Sequence, residues 1–528
     1  MNSLTSPPKL PDLYEATISE LQEGLDKNLF SSVDLVKAYF ARIEEVNLNG
    51  PALRAVLETN PTALRQAADR DSERRTKGKR GPLHGIPILL KDNIATDGAD
   101  GMETTAGSYA LKGSIVPDGI DAWVVQKLYN AGAIILGKAN LSEWGQFRSH
   151  KLTGGWSPLG GQGTNAYYPN GDPAGSSSGS AVATSIGLTA ASLGSDTSGS
   201  ITYPASRNNI VGIKPTVGLT SRTGVIPICS HQDTVGPLAR TVADVAILLS
   251  AIAGPDPDDE ITLSQPAELP DYTNALDVNA LAGKRIGVPR KVFFDDQTHP
   301  VIVTAFEEAV QTMKEMGAII VDPADLPAAE ELIENGWEDE ELICQVDFKI
   351  DMNRYLSSLA ESPTGVRSVE DIIKFIKEHP ELEQPKGYED YSVLVQSNST
   401  TGYDANISEI LERKTRLSRE GGIDGVLEKY NLDALVAPDS RFQAAASANA
   451  GYPMIQVPLG FFPDDIEPLA LNGGPTFYPA PGMPFGVAFI GSAWSEYKLI
   501  GMAYAYEQMT RTRMGRRAYP EAVPHSQL

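Results

Sequence analysis

The chain has 528 residues, enough for three or four domains or for one large α/β unit. Its 44 Lys and Arg against 68 Asp and Glu give a formal net charge of −24, a field that repels nucleic-acid phosphates and anionic lipid and argues against both as partners. Apolar residues make up 41% but fall in short runs, none near the ~18 needed to span a bilayer, and two cysteines, Cys229 and Cys344, exclude a disulfide framework or a zinc knuckle.

A soluble protein of a reducing, cytosolic compartment is therefore expected. Met1 to Pro8 lacks the basic and apolar regions of a secretory signal. The end, Ser526-Gln527-Leu528, is one residue from the peroxisomal S-K-L address, too partial a match to displace the cytosol.

In chain order, Leu35, Val36, Tyr39, Phe40, Ile43 and Val46 fall near helical spacing behind a Ser31/Ser32 cap. Residues 1–80 read as helices packed on a larger unit, residues 81–528. Ile86 to Leu90 is wholly apolar, as suits a strand buried on both faces, with Lys91 at its C-terminal end. A helix over Ala122 to Asn130, a left-handed cap at Gly132 and a strand over Ala133 to Leu136 follow. The same design returns at Val301 to Met316, Gly317 and Ala318 to Val321, and it is the repeating unit of layered α/β proteins. Gly254 to Asp271 and Glu378 to Tyr391 read as acidic surface connections. Strand-like runs resume at 284–288, 434–437, 455–457 and 485–490, so one sheet is expected to continue, with helical insertions, through residues 255–528.

The densest feature is a pair of Gly/Ser loops, Gly175 to Ala181 and Gly194 to Ser200, separated by a small-residue helix expected to run through Ala190. Linkers would not be embedded in apolar sequence, whereas buried glycine loops bring backbone N–H groups close to a ligand. Gly175-Ser176-Ser177-Ser178-Gly179 also satisfies G-x-S-x-G, with Ser177 as nucleophile. That elbow needs a strand immediately before it, and Asn165 to Pro173 is rich in turns; the downstream histidines, His231, His299, His379 and His525, have no recognisable setting. Gly132 to Ala139 imitates a P-loop, but Ala139 replaces the magnesium-binding Ser/Thr and the intervening residues form an apolar strand. A lysine is the remaining base able to activate a serine. Lys91 is the candidate, although an isolated strand-end lysine is more often a snorkelling surface residue.

Lys91-Asp92-Asn93 followed in order by the two loops resembles the amidase signature family. Gly137 to Trp144, Gly212 to Thr216, Asp233 to Pro237, Gly451-Tyr452-Pro453 and Pro484-Phe485-Gly486 extend the resemblance over roughly Leu35 to Arg513. It implies a single α/β/α layered domain around a mixed sheet, with its signature region at about 81–254. It also implies a Ser-Ser-Lys triad: Lys91 the base, Ser176 the relay on a cis peptide bond, Ser200 the nucleophile. The amides of Thr197, Ser198, Gly199 and Ser200 would then form the oxyanion hole. For Lys91 to act as a base, burial must lower its pKa from the ordinary ~10.4.

Many family members carry G-G-S-I-R where this chain has Ser198-Gly199-Ser200-Ile201-Thr202, and Tyr203 is not basic either. The missing arginine argues for a neutral group beside the scissile amide. Ser142-Glu143-Trp144 and Gly160 to Asn165 look most like the peptide amidase branch, which acts on C-terminal carboxamides, and Trp144 joins the candidate substrate contacts on that ground. The expected substrate is a small-molecule amide, ester or carbamate. The six histidines, His84, His150, His231, His299, His379 and His525, show no ligand spacing, so neither metal nor cofactor is expected. The rival readings are a glutaminase-type subunit of a tRNA amidotransferase and a non-catalytic interaction protein keeping the fold.

Overall fold

The computed structural model describes residues 8–117, 121–294, 298–440 and 442–526; most of the N-terminal segment and Gln527 and Leu528 of the C-terminal address lie outside these. Two helices open the described chain, α1 (Ile18–Asp26) and α2 (Ser32–Val46). Ser31 is the cap of α2: its hydroxyl accepts from the Asp34 N–H, and the Asp34 carboxylate accepts from the Ser31 N–H. Ser32 serves elsewhere, its N–H donating to Asp71 at 2.9 Å in α3 (Ala63–Lys77). The apolar face of α2 is buried in the main core, so the N-terminal helices share the core of the sheet.

Among the described residues eleven strands form one mixed sheet. They are β1 (Val56–Thr59), β2 (Pro87–Lys91), β3 (Ile134–Ala139), β4 (Ala191–Asp196), β5 (Val211–Lys214), β6 (Thr234–Ala239), β7 (Arg285–Gly287), β8 (Ile319–Val321), β9 (Ala434–Pro438), β10 (Met454–Phe461) and β11 (Pro484–Ile490), in spatial order 1-3-2-4-6-5-10-11-9-7-8. β2 lies between β3 and β4, parallel to both, and is buried along its whole length, as its apolar run predicts. β4 then pairs antiparallel with β6. The later strand runs join the same sheet, β7, β8 and β9 as a second parallel group. The helix–glycine–strand units are present: α4 (Trp123–Asn130) leads through Gly132 into β3.

Two expectations are corrected around the Gly/Ser loops. Helix α5 (Ser178–Ser185) stops five residues before Ala190, where the Arg42 guanidinium takes the Ile186 and Gly187 carbonyls at 3.0 and 2.7 Å and satisfies the end of the helix. Gly194, Ser195 and Asp196 are ladder residues of β4, facing Gly236, Val235 and Thr234, so the second loop begins only at Thr197. It leads into the short α6 (Thr202–Arg207).

Further along come α7 (Val242–Ile252), α8 (Pro300–Glu315) and the 30-residue α9 (Ala329–Ser358). With α10 (Val369–Glu378), α11 (Ser392–Ser399) and α12 (Ala405–Ser418), α9 builds a second apolar cluster that receives Ile226, Ile228 and Trp144 from the sheet side. Among the described residues no helix is long and apolar enough to cross a membrane.

Candidate active site

The C-terminal ends of the parallel neighbours β2 and β4 converge, bringing Lys91 to Ser195 and to the loop that follows it. Lys91 Nζ is fully buried and lies 2.7 Å from Ser176 Oγ, 2.9 Å from Ser195 Oγ and 3.1 Å from the Ser195 carbonyl. Desolvation lowers its pKa to about 7, against the opposing pull of the Asp196 and Asp233 carboxylates. This strand-end lysine does not snorkel. Asn93 Nδ2 donates to the same Ser195 hydroxyl at 2.9 Å.

Ser176 follows a cis Gly175–Ser176 peptide, and its carbonyl accepts from the Ser142 N–H at 3.1 Å. A Cβ at position 175 would stand 2.3 Å from Ser142 Oγ, which explains the glycine. The two loops are joined directly, the Ser177 N–H donating to the Ser200 carbonyl at 3.1 Å. Ser177 itself is fully buried, its hydroxyl on the Ser195 carbonyl, so the elbow reading has no nucleophile facing the cavity.

Asp196 shapes the turn after β4. Its carboxylate accepts from the Gly199 N–H at 2.8 Å and from the Ile201 N–H at 2.6 Å. Gly199 has φ +94°, and a Cβ there would overlap the Tyr203 ring at 2.2 Å. Of the four amides implied as oxyanion donors, that of Gly199 is thus already engaged, while Thr197, Ser198 and Ser200 line the cavity. Thr197 is fixed from behind: its hydroxyl donates to Asp233 at 2.6 Å and its carbonyl accepts from Gln232 Nε2 at 3.2 Å.

The cavity above Ser200 has a volume of about 1240 Å³. Arginine is absent at 202 and 203, yet Arg207, at the end of α6, reaches the cavity wall. It donates to Asp172 at 2.7 Å and lies 3.9 Å from the centre of the Tyr478 ring, beside Asp439, whose carboxyl is pushed up by burial. Glu340, Glu341, Asp439 and Glu467 also line the cavity, leaving its walls acidic.

Trp144 is a correction. It is 1% exposed, packs in the second apolar cluster and does not line the cavity; its neighbours Gly145, Gln146 and Phe147 do. The flanking Glu143 pairs with buried Arg148 at 2.6 Å, and Arg148 with Glu383 at 3.2 Å, so this block braces the wall from behind. Ser195, Asn93, Asp196 and Asp233 are the functional candidates that sequence reasoning does not single out. Ser195 and Asp196 belong to the quoted Gly/Ser block and Asn93 to Lys91-Asp92-Asn93, so adjacency to the candidates is the available signal.

The pattern of the family described as Amidase matches residues 34–446. The chain belongs to the amidase family. A protein of Arthroderma benhamiae, provisionally named an amidase, is 42% identical over 534 residues, covering 96% of this chain and 87% of that one. The X-ray structure of native peptide amidase from Stenotrophomonas maltophilia superposes with a TM-score of 0.85 at 41% identity, covering 97% of this chain and 99% of that one. A glutamyl-tRNA(Gln) amidotransferase subunit from Chloroflexus aurantiacus is 33% identical over 520 residues, covering 95% of this chain and 98% of that one. The resemblance read from Lys91-Asp92-Asn93 and the two loops is therefore a true family relationship, and the amidase fold is the one described above.

Proposed function

We propose that this amidase-family chain hydrolyses neutral carboxamides to the acid and ammonia or amine through an acyl-enzyme on Ser200, with Ser176 as relay and Lys91 as base. The observation that carries the reading is the buried 2.7 Å contact between Lys91 Nζ and Ser176 Oγ. A neutral amine has two N–H donors and one lone pair. With the donors on the Ser195 carbonyl and hydroxyl, the lone pair faces Ser176 Oγ, as a base requires.

At pH 7 a pKa of about 7 leaves about half of the Lys91 side chains neutral, against about one in a few thousand for free lysine. Ser200 Oγ attacks the carbonyl carbon, its proton passes to Ser176 Oγ, and the Ser176 proton passes to Lys91 Nζ. Amides of Thr197, Ser198 and Ser200, the members of the turn that line the cavity, take the oxyanion charge. Collapse breaks the C–N bond as the relay runs backwards and protonates the leaving nitrogen. Water then attacks the ester by the same route and releases the acid.

Neutral substrates are favoured because Arg207 is balanced by Asp172 and the remaining charged wall groups are acidic, so a substrate carboxylate would be desolvated without a partner. The cavity volume and the peptide amidase likeness support peptide carboxamides within this class. The likeness to the glutamyl-tRNA(Gln) amidotransferase chain keeps glutamine-dependent ammonia supply as the second reading, which the acidic wall disfavours for a substrate bearing a carboxylate. Two free, buried thiols agree with the cytosolic setting expected from the sequence.

Intact-mass analysis with a fluorophosphonate, alongside ammonia release from a panel of carboxamides by the purified chain, tests this. One adduct is expected, lost in Ser200→Ala and kept in Ser177→Ala. An undiminished adduct on Ser200→Ala overturns the nucleophile, and absence of both adduct and ammonia would favour a non-catalytic role.

A further inference from the structure

Beyond the Lys91 site, the fold assembles a second group of chemistry-bearing side chains that the spacing of histidines does not reveal. Cys229 and His231 sit on the segment between β5 and β6, and Asp347 projects from α9, 116 residues after His231. One ligand atom from each, Cys229 Sγ, His231 Nδ1 and an Asp347 carboxylate oxygen, lies within 4.8 Å of the other two. Asp347 Oδ2 is 2.6 Å from His231 Nδ1 and 3.1 Å from Cys229 Sγ. The other carboxylate oxygen, Oδ1, accepts from Tyr403 Oη at 2.5 Å, a bond of the kind that holds a ligating carboxylate in orientation. Cys344, one helical turn before Asp347, lies against the Cys229 thiol, and both sulfurs face Gln232 Oε1, at 3.6 and 4.0 Å. One face of the group is open, since the His231 side chain is 41% exposed, whereas that of Asp347 is 3% exposed.

We propose that Cys229, His231 and Asp347, with Cys344 in reach as a fourth donor, form an inhibitory site for a borderline-soft divalent cation of the zinc class. The donor set of thiolate, imidazole and carboxylate is the one such ions take in tetrahedral sites. On binding, the Cys229 thiol proton leaves to solvent and the imidazole proton facing Asp347 moves to Nε2. With these three ligands the cation meets two negative groups and one neutral one and the site carries no net charge; Cys344 would join as a thiolate, its proton also leaving to solvent, and bring the site to −1. Asp351 on the Ser230 N–H at 3.1 Å and Glu340 on Gln232 place further acidic groups beside the site, while Lys414, a cation near the thiols, is tied to Gln232 Oε1 at 2.6 Å.

The effect on turnover comes through the segment involved, and this part rests on the function proposed above. The Cys229 N–H donates to Asp233 at 3.0 Å, and Asp233 and Gln232 are the two groups that hold Thr197 in the oxyanion turn. A cation inserted here, about 2.0–2.3 Å from each donor, sets tetrahedral ligand atoms more than about 3.2 Å apart. It therefore spreads Cys229 and His231 away from Asp347, which they now meet at 3.1 and 2.6 Å, and moves Thr197 off its position.

The test titrates the purified, chelator-treated full chain with Co²⁺, following the thiolate-to-cobalt absorption, and then displaces Co²⁺ with Zn²⁺. One equivalent with a thiolate band is expected, weakened at least about tenfold in His231→Ala and in Cys229→Ser, with Zn²⁺ lowering kcat of wild type and not of His231→Ala. The exposed ring makes His231→Ala a foldable probe even if Cys229→Ser is unstable. Lack of saturable uptake, affinity unchanged in His231→Ala, or full turnover at Zn²⁺ saturation overturns the proposal. The cobalt measurement decides the site whether or not the amide chemistry proposed above is correct.

Discussion

Ser195 presents both of its oxygens to Lys91 Nζ, the carbonyl at 3.1 Å and the hydroxyl at 2.9 Å, and in doing so aims the third direction of the amine at Ser176. The hydroxyl is itself held by Asn93 Nδ2, so the proposed base is oriented by a chain of two polar residues that do not line the cavity. Removing the hydroxyl in Ser195→Ala leaves only the Ser195 carbonyl to orient the amine from that side. The expected result is kcat lowered by about 10- to 100-fold with KM nearly unchanged, a part of the ~10²–10⁴-fold that a positioned base contributes, since the base is kept and only one of its orienting contacts is lost. A change confined to KM would show that Ser195 shapes binding and not the base.

Lys91 carries a pH signature. With its pKa lowered to about 7 by burial, kcat/KM is expected to rise with pH through about 7 and then level off. Lys91→Ala and Lys91→Arg should both be inactive at every pH, because arginine keeps the charge but supplies no lone pair. An active arginine variant overturns the base assignment.

The same depressed pKa has a cost in stability. Between the folded value near 7 and the unfolded ~10.4, the unfolded chain binds more protons, so this group makes stability rise with pH across that window. Below it the full penalty applies, on the order of 5 kcal/mol at most. Lys91→Met should therefore abolish activity yet raise the melting temperature at pH 6, with the gain shrinking as pH approaches 10. Calorimetry at the two pH values checks this, and a destabilised Lys91→Met at pH 6 would contradict it.

Arg207 tests the electrostatics of substrate choice. Its charge is balanced by Asp172 at 2.7 Å, and Asp172 is also bound by the Thr476 hydroxyl at 3.0 Å. Asp172→Asn releases the cation toward the cavity. The ratio of kcat/KM for an amide with a neighbouring carboxylate to that for its neutral analogue should rise at least about tenfold, a difference of about 1.4 kcal/mol. Global stability should fall by about 3 kcal/mol for a broken buried pair. An unchanged ratio would remove Arg207 from the determinants of specificity.

Arg148 provides a purely structural counterpart. It bridges two buried carboxylates in contact with each other, Glu143 and Glu383, and burial followed by Glu383 already holds the Glu143 carboxyl well above its usual range. Arg148→Met should cost about 3–5 kcal/mol at neutral pH. Because a raised carboxyl pKa means the folded state binds more protons, the loss should shrink as pH falls toward the ordinary carboxyl range. Equal losses at pH 5 and pH 8 would argue against trapped charge as the cause.

What can be read from the sequence divides along physical lines. The burial of Lys91 follows from the apolar run Ile86 to Leu90, because a strand without polar alternation has no solvent face. The meeting of Lys91 with Ser176 comes from family resemblance, since 85 residues separate them and no local rule joins them. Trp144 misleads because an aromatic residue in a motif block looks the same in sequence whether it walls a cavity or fills the core behind it. Arg207 and Asp172 are 35 residues apart and meet only through the loop before α5 and the end of α6. Cys229 and His231 acquire their partners from α9, more than 100 residues later, which no ligand-spacing rule detects.

Helix α9 reaches the cavity with Trp337, Glu340, Glu341 and Cys344, yet its buried apolar residues from Ile343 to Leu356 belong to the second cluster and not to the core beneath the strands that carry Lys91 and Ser195. Recognition and bond-breaking thus stand on separate foundations within one chain. Substitutions in α9 and the helices behind it can reshape which amide is admitted while the β2 and β4 ends stay untouched. In a library selected on new amides, gains should gather between residues 329 and 418, and total failures on the sheet. The molecule is in this sense already divided into a replaceable wall and a fixed engine.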